Sequence, residues 1–406
     1  MHLSFVFAAN AFGVNIPRMK LFTIIVVTVI CSLTASAQGD IVDSPQRSRV
    51  LNTKGLETAP SQLLWKSEKL FTYRATEWVD AQIGSSNPLS TVSIQLPTNQ
   101  EYTGPIIAGD LLYFTYNAKN GYLFAIEKAT GKMLINLQFE NNSVSRPTAR
   151  SNIVFFGSQR GQVSAYDFRK REMKWNFVDK DHSFADSSPI LDRDLLYFQA
   201  ADRGLYAFVV ETGEVKWLFK SDKFLRAPAV AGDRVILVTV TGRMLALDRA
   251  TGATSWDVSV GRNTTSPAVL GEQIFLVYED GEIRSYSAVD GTLQWKSKNV
   301  PRSGSGVALY NGLVYYAGRE NDVIAIDAST AAEKLRFKSK RYCYTPLIAG
   351  DMLYVRCQDK KMYALSTATL TEVWSIQNGK TIPPPVIFAD GVMYSLGSDG
   401  YIHAFK

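Results

Sequence analysis

The sequence is poorest in the residues that hold metals and carry redox chemistry. Among 406 residues there are three cysteines and three histidines, too few for a Cys/His zinc site of three or four ligands. No two cysteines are adjacent and none forms Cys-x-x-Cys or Cys-x-x-Cys-His, which removes a dithiol redox motif and a c-type haem attachment. Long apolar runs are scarce too: the longest, Leu21 to Leu33, spans 13 residues, short of the roughly 20 that a spanning helix needs. A strong excess of one charge sign is also missing, the chain being only mildly basic at +6. Lys and Arg number 44 against 38 Asp and Glu, scattered along the chain, whereas nucleic-acid binders cluster their basic residues. With 46% hydrophobic and 20% charged residues, the chain can bury a large core.

The amino terminus reads as an export signal. Met19-Lys20 is a basic start, Leu21 to Ile30 is apolar, and Ala35-Ser36-Ala37 supplies small residues before Gln38, the three parts of a cleaved secretory peptide. Residues 1–37 are assigned to it, with Met1 or Met19 as initiator. Cys31 invites a lipoprotein reading, but Ile30 precedes it where a small residue belongs. The protein is expected in the periplasm or at the periplasmic face of the outer membrane, an oxidising space.

One phrase recurs through the rest: a Pro before a short apolar run, a Gly-Asp-like turn, a Tyr/Phe/Val-rich run, a second turn, and a strand ending in Ala. It opens at Pro105, Pro147, Pro189, Pro228, Pro267, Gly306, Pro346 and Pro385, spaced by 42, 42, 39, 39, 39, 40 and 39 residues. Blade four shows four strands, Ala227 to Val230, Val235 to Val240, Met244 to Leu247 and Thr254 to Val258. No unit carries a 10-residue apolar pattern of period 3.6, so helical solenoids and βαβ folds are excluded. Short four-stranded sheets hide their faces only against one another, and a period near 40 is that of a propeller blade. The fold expected is all-β: eight four-stranded antiparallel blades over 91–406. The last unit has only three strands, so an amino-terminal strand, Thr91 to Leu96, is expected to supply the fourth and close the ring. Residues 38–90 are expected to be a linker followed by a segment, with Trp65, Phe71, Tyr73 and Trp78, that packs on the ring surface.

Blade four reads Ala246-x-Asp248-x-x-Thr251-Gly252-x-x-x-Trp256. Other blades keep parts of it, with tryptophan at Trp175, Trp217, Trp295 and Trp374, but Ile135 and Leu335 stand at that place in blades one and six. The phrase resembles the tryptophan-docking motif of the pyrroloquinoline-quinone-like (PQQ-like) propeller repeat, a WD40-like architecture. Glycine suits the tight turn, and the indole covers the gap between blades while its N–H needs an acceptor. The resemblance implies one of two functions. One is a non-catalytic, BamB-like scaffold of outer-membrane β-barrel assembly, without a cofactor and binding a protein or peptide partner in the cell envelope. The alternative is a periplasmic quinoprotein dehydrogenase holding PQQ with calcium; its adjacent-cysteine disulfide and haem motif have no counterpart here.

Several constellations remain. Cys343 and Cys357 face each other if the blade-seven hairpin turns near Gly350, and are expected to form a disulfide. Arg146, Arg226, Arg262, Arg302, Arg341 and Lys380 precede the innermost strands. They read either as a basic ring at the channel mouth that binds an acidic partner or as solvated loop charges. His182 beside Asp181, Asp186, Ser187 and Ser188 suggests a triad only by adjacency, which carries no geometry. His403 reads as packing, the pairs Asp280-Gly281, Asp290-Gly291 and Asp399-Gly400 as turns, and Asn141 and Asn263 fit the glycosylation pattern.

Overall fold

The computed structural model describes residues 50–51, 63–66, 106–117, 120–140, 142–181, 183–184, 189–200, 204–262, 264–297, 306–318, 320–377, 386–396 and 402–405. The expected signal peptide over 1–37, the segment Thr91 to Leu96, and Phe71, Tyr73 and Trp78 lie outside them.

Among the described residues every regular element is a strand. Eight sheets built on antiparallel meanders follow one another along the chain, seven running in sequence from an innermost to an outermost strand and the eighth taking its outermost strand from the amino-terminal part. In blade four these are Ala229–Ala231, Arg234–Val238, Arg243–Asp248 and Thr254–Ser259. The first strand starts immediately after Pro228. A proline has no N–H to give the ladder, so pairing begins one residue on. The same offset recurs after each opening proline, and after Gly306 in blade six.

The core sits between sheets. Eight apolar clusters each join two neighbouring blades, for example Tyr197, Leu205 and Trp217 of blade three with Val235, Leu237 and Leu245 of blade four. The eighth joins Leu112, Phe114 and Phe124 of blade one to Tyr394, Ile402 and Ala404 of blade eight. That last cluster closes the ring.

An amino-terminal strand completes blade eight, but it is Leu63–Lys66 and not Thr91 to Leu96. Leu63 pairs with Phe405 and Trp65 with Ala404, with Leu64 skipped. Blade three has the same skip, Val215 against Phe208 and Trp217 against Ala207. Trp65 therefore stands at the docking-tryptophan register of blade eight, a position for which Thr91 to Leu96 has no tryptophan. The ring thus reaches into the stretch 38–90 that was expected to remain outside it.

The skipped residue and the motif have one cause. Asp248, Arg249, Ala250, Thr251 and Gly252 turn the chain between the third and fourth strands, with Gly252 at φ 74° and its N–H bonded to the Asp248 carbonyl at 2.8 Å. The bend carries the fourth strand one residue out of step and turns Trp256 toward blade five. There its indole N–H donates to the Ala288 carbonyl at 3.1 Å. The equivalent bonds are Trp175 to Val210 (2.8 Å), Trp217 to Arg249 (3.0 Å) and Trp295 to Ala328 (2.9 Å). Within its own blade the indole lies across a small residue from an aromatic ring: Tyr197–Trp217 at 5.7 Å over Ala207, Tyr354–Trp374 at 5.8 Å over Ala364.

Glycine in the motif answers to two demands. Its φ is positive, and a Cβ on Gly252 would lie 2.6 Å from the Trp217 ring of the preceding blade. Gly232 also has positive φ, but a Cβ there would meet nothing within 4 Å. Gly232→Ala is therefore expected to cost only the left-handed strain, about 1–2 kcal/mol. Gly252→Ala should cost about 1–3 kcal/mol more through overpacking against Trp217. Urea unfolding of the two variants checks this, and equal losses would show that docking does not discriminate.

The motif aspartate holds the turn. Asp327 Oδ1 accepts from the Ser329 hydroxyl (2.6 Å), the Ser329 N–H (2.9 Å) and the Thr330 N–H (3.0 Å), and these bonds pull its pKa from 3.8 down to about 2. The Thr251 hydroxyl lowers Asp248 in the same way; in blade five, where Ser287 holds the motif's Asp place, the Thr292 hydroxyl lowers Asp290 directly before the glycine. A carboxylate with a lower pKa in the folded state contributes stability above its unfolded pKa and loses it as pH falls through the folded value. Stability should therefore drop between about pH 4 and pH 2. Asp327→Asn should flatten part of that drop in acid unfolding followed by tryptophan emission; a profile parallel to the parent's would refute the assignment.

Candidate binding face

The two faces of the ring are built differently. One carries the first-to-second and third-to-fourth turns, where charges pair across blades: Arg249 with Asp192 (2.9 Å), Arg193 with Asp233 (3.0 Å), Lys128 with Asp390 (2.5 Å). The other carries the second-to-third turns and the connectors between blades, and here the repeats diverge.

A small device builds this connector face. Three residues before the opening proline, a single bridge joins the connector to the end of the second strand: Val144 to Ser158, Leu225 to Thr239, Thr264 to Tyr278, Cys343 to Cys357. In blade seven the hairpin runs Leu347 to Tyr354 and Ala349 to Met352. Carried on unbroken, that register would set Cys343 opposite Gln358. An irregularity over Tyr344, Thr345 and Pro346 shifts it by one residue and brings Cys343 to Cys357. Tyr344 N–H donates to the Arg356 carbonyl (2.8 Å) and Gln358 N–H to the Tyr342 carbonyl (2.7 Å). The cysteines are thus the non-hydrogen-bonded pair, in which opposed side chains come closest. Their sulfurs are joined in a disulfide and both residues are buried.

The six basic positions do not form one ring of equivalents. Arg146 stands directly before Pro147 and Arg226 two residues before Pro228, both half-buried, while Arg262 and Arg341, five residues before their prolines, are exposed. Arg302 and Lys380 lie outside the described residues. Counting back from the prolines misleads because the connectors bend at the bridge, so one or two residues decide which side of it an arginine takes. Arg146 is the distinctive one. Burial lowers its pKa, and among the described residues it forms no ion pair.

Other groups on this face were not singled out from the sequence. Phe224 and Val240 flank the blade-four bridge, with the Val240 N–H bonded to the Phe224 carbonyl at 3.0 Å, and are 56% and 43% exposed. Arg226 follows on the same ribbon, its N–H bonded to the Val238 carbonyl at 2.7 Å. A lone aromatic inside the polar connector Ser221-Asp222-Lys223-Phe224 was the available signal. In blade seven the Arg356 guanidinium lies 4.1 Å from the centre of the Tyr344 ring, which meets Tyr342 edge-on at 5.3 Å. In blade five Arg284 stacks on Tyr278 at 3.9 Å. The Tyr278 hydroxyl donates to the Val260 carbonyl (2.6 Å) and accepts from the Tyr286 hydroxyl (2.8 Å). Burial, then the bond with Tyr286, holds the Tyr278 phenol far above its ordinary pKa.

His403 is buried in the third strand of blade eight and stacks on Phe405 at 5.9 Å. Asp280 accepts the Glu282 N–H at 2.9 Å in a turn with Gly281 at φ 93°. His182, Asp186, Ser187, Ser188, Asn141, Asn263, Asp399 and Gly400 lie outside the described residues. PQQ with calcium would need several carboxylate or amide ligands together. Among the described residues no three His, Cys, Asp or Glu side chains gather to hold a cation. Nor is any helix among them long and apolar enough to cross a membrane.

The disulfide closes a separation of 14 residues, a loop whose cross-link stabilises by about 2–3 kcal/mol through the unfolded chain. Reductant should lower urea stability by that amount in the parent and leave the Cys343→Ser, Cys357→Ser variant unchanged. Equal sensitivity of the two would sink the assignment.

Comparison with known proteins bears out the repeat. The family described as outer membrane protein assembly factor BamB matches over residues 60–223, 219–301 and 279–393. No curated protein sequence is similar enough to count as a match. Among solved structures the computationally designed Ika8 protein is similar at TM-score 0.64 and 14% identity, over 75% of this chain and 96% of that one. BamB from Moraxella catarrhalis is similar at TM-score 0.56 and 15% identity, over the same shares. At such identities the structures speak to fold alone. The family match begins at residue 60, just before the closing strand, and runs into blade eight, so the chain belongs to the BamB family of PQQ-like repeat propellers.

Proposed function

We propose that this chain is an exported, non-catalytic scaffold that holds a protein partner on its connector face, in the manner of a barrel-assembly factor of the outer membrane. The observation that carries the reading is the blade-four ribbon, where exposed Phe224 and Val240 stand beside Arg226. An aromatic anchor next to an arginine is the composition of an interface hot spot. The charges of the opposite face are largely spent on one another across blades, as in the Arg249, Arg193 and Lys128 pairs. The reading also draws on the family's description and on the signal-like residues 1–37.

A photo-crosslinking residue at position 224, activated in the native cell envelope, should capture a discrete partner identifiable by mass spectrometry. Phe224→Asp with Arg226→Glu should weaken the complex at least tenfold, the loss typical of hot-spot truncation, with unchanged unfolding. Capture of nothing above a secreted control would overturn the scaffold reading. So would saturable quenching of tryptophan emission by PQQ with calcium, which the quinoprotein alternative requires.

A further inference from the structure

The innermost strand of blade seven, Leu347–Ala349, is paired on both edges. Met352–Arg356 holds one. The other faces the axis and pairs in parallel with Val50–Leu51, Val50 against Ile348 and Leu51 against Ala349. The same two residues also approach Val307–Tyr310, the innermost strand of blade six. Among the described residues no other innermost strand has a neighbour on its axial edge. Eleven residues separate Leu51 from Leu63 in the outermost strand of blade eight. They can span about 40 Å, ample against the roughly 20 Å of four strand spacings from an axial to an outermost strand together with the roughly 10 Å between neighbouring sheets. The chain can therefore supply an axial strand and a closing strand from one short stretch.

An unpaired strand edge recognises extended backbone. We propose that the axial edge of Leu347–Ala349 is an acceptor site for an extended peptide with adjacent apolar residues, filled in cis by Val50–Leu51. The site is rigid because the Cys343–Cys357 disulfide and the register shift at Pro346 fix where the strand begins. A two-residue parallel ladder offers few bonds, each about 0.5–1.5 kcal/mol net. Its occupancy rests on the tether, which supplies the segment at an effective concentration in the millimolar range. Loss of the cis strand opens the edge to a peptide of the same kind in trans. This inference does not depend on the scaffold reading, because the probe is a piece of this chain and no envelope partner is involved.

The test compares the full-length protein with its Val50→Pro, Leu51→Pro variant, in which the segment has lost its N–H donors. Tryptophan emission and urea unfolding establish that the ring is intact in both. Hydrogen exchange in the peptide covering 347–349 should be at least tenfold faster in the variant. A fluorescent peptide of residues 44–56 should bind the variant at least tenfold more tightly than the parent by anisotropy, and a peptide with prolines at both positions should bind neither. Unchanged exchange would overturn occupancy in cis. Faster exchange without binding of the peptide would overturn the acceptor site.

Discussion

Each docking tryptophan spans a seam that no single blade can close. A four-stranded sheet of this length has two apolar faces and no second layer of its own, so its stability rests on the neighbours. The indole covers part of that seam and ends it with a directed bond to a backbone carbonyl in the next blade's turn. Apolar contact alone would let sheets slide; the N–H fixes their relative position. The alanine of the third strand belongs to the same device, since a larger residue would keep the indole from the second-strand ring. Trp, Ala, Gly and Asp are one geometric unit spread over two blades.

This unit explains what could be read from the sequence. Repeat spacing, strand count and the tryptophan positions were legible because each follows from a periodic local demand. The closing strand was misplaced for a related reason. Thr91 to Leu96 resembles an outer strand in its alternation, whereas Leu63–Lys66 is shorter and apolar, but only the latter puts a tryptophan opposite Ala404. The basic residues show the opposite limit. Arg146 and Arg226 follow the bridge three residues before the proline and are half-buried, whereas Arg262 and Arg341 precede it and are exposed. Phe224 was visible as an aromatic in a polar connector, but its exposure depends on the neighbouring ribbon. Connectors are free of the docking constraint, which is why the ring's individuality, and with it the candidate site, lies there.

The seams without tryptophan show how far the constraint extends. Where Leu335 stands at the docking position of blade six, the facing turn of blade seven has Leu370 in place of glycine, still left-handed at φ 52° and now buried in the shared core. The turn's conformation is therefore set by the hairpin; Ala331 also adopts it, at φ 62°, in the blade-six turn that receives the Trp295 indole. The acceptor carbonyl is still satisfied. Thr367 occupies in blade seven the place of Arg249 in blade four, directly after the motif's Asp position, and its carbonyl receives the hydroxyl of Tyr315 at 2.8 Å. Tyr315 is the second-strand ring, opposite Ala325, whose counterparts in blades three and seven lie tilted against tryptophan. Burial pushes its pKa up to about 12, which keeps the proton in place to donate. A ring from the second strand thus reaches through the space a smaller residue leaves and makes the indole's bond. Whereas at the seam of Ile135 the equivalent hydroxyl, that of Tyr113, is buried without a hydrogen-bond partner among the described residues, at this seam the same carbonyl is met by a second chemistry from a different strand. The disulfide of the same blade then adds a covalent tie within the sheet that this seam must hold.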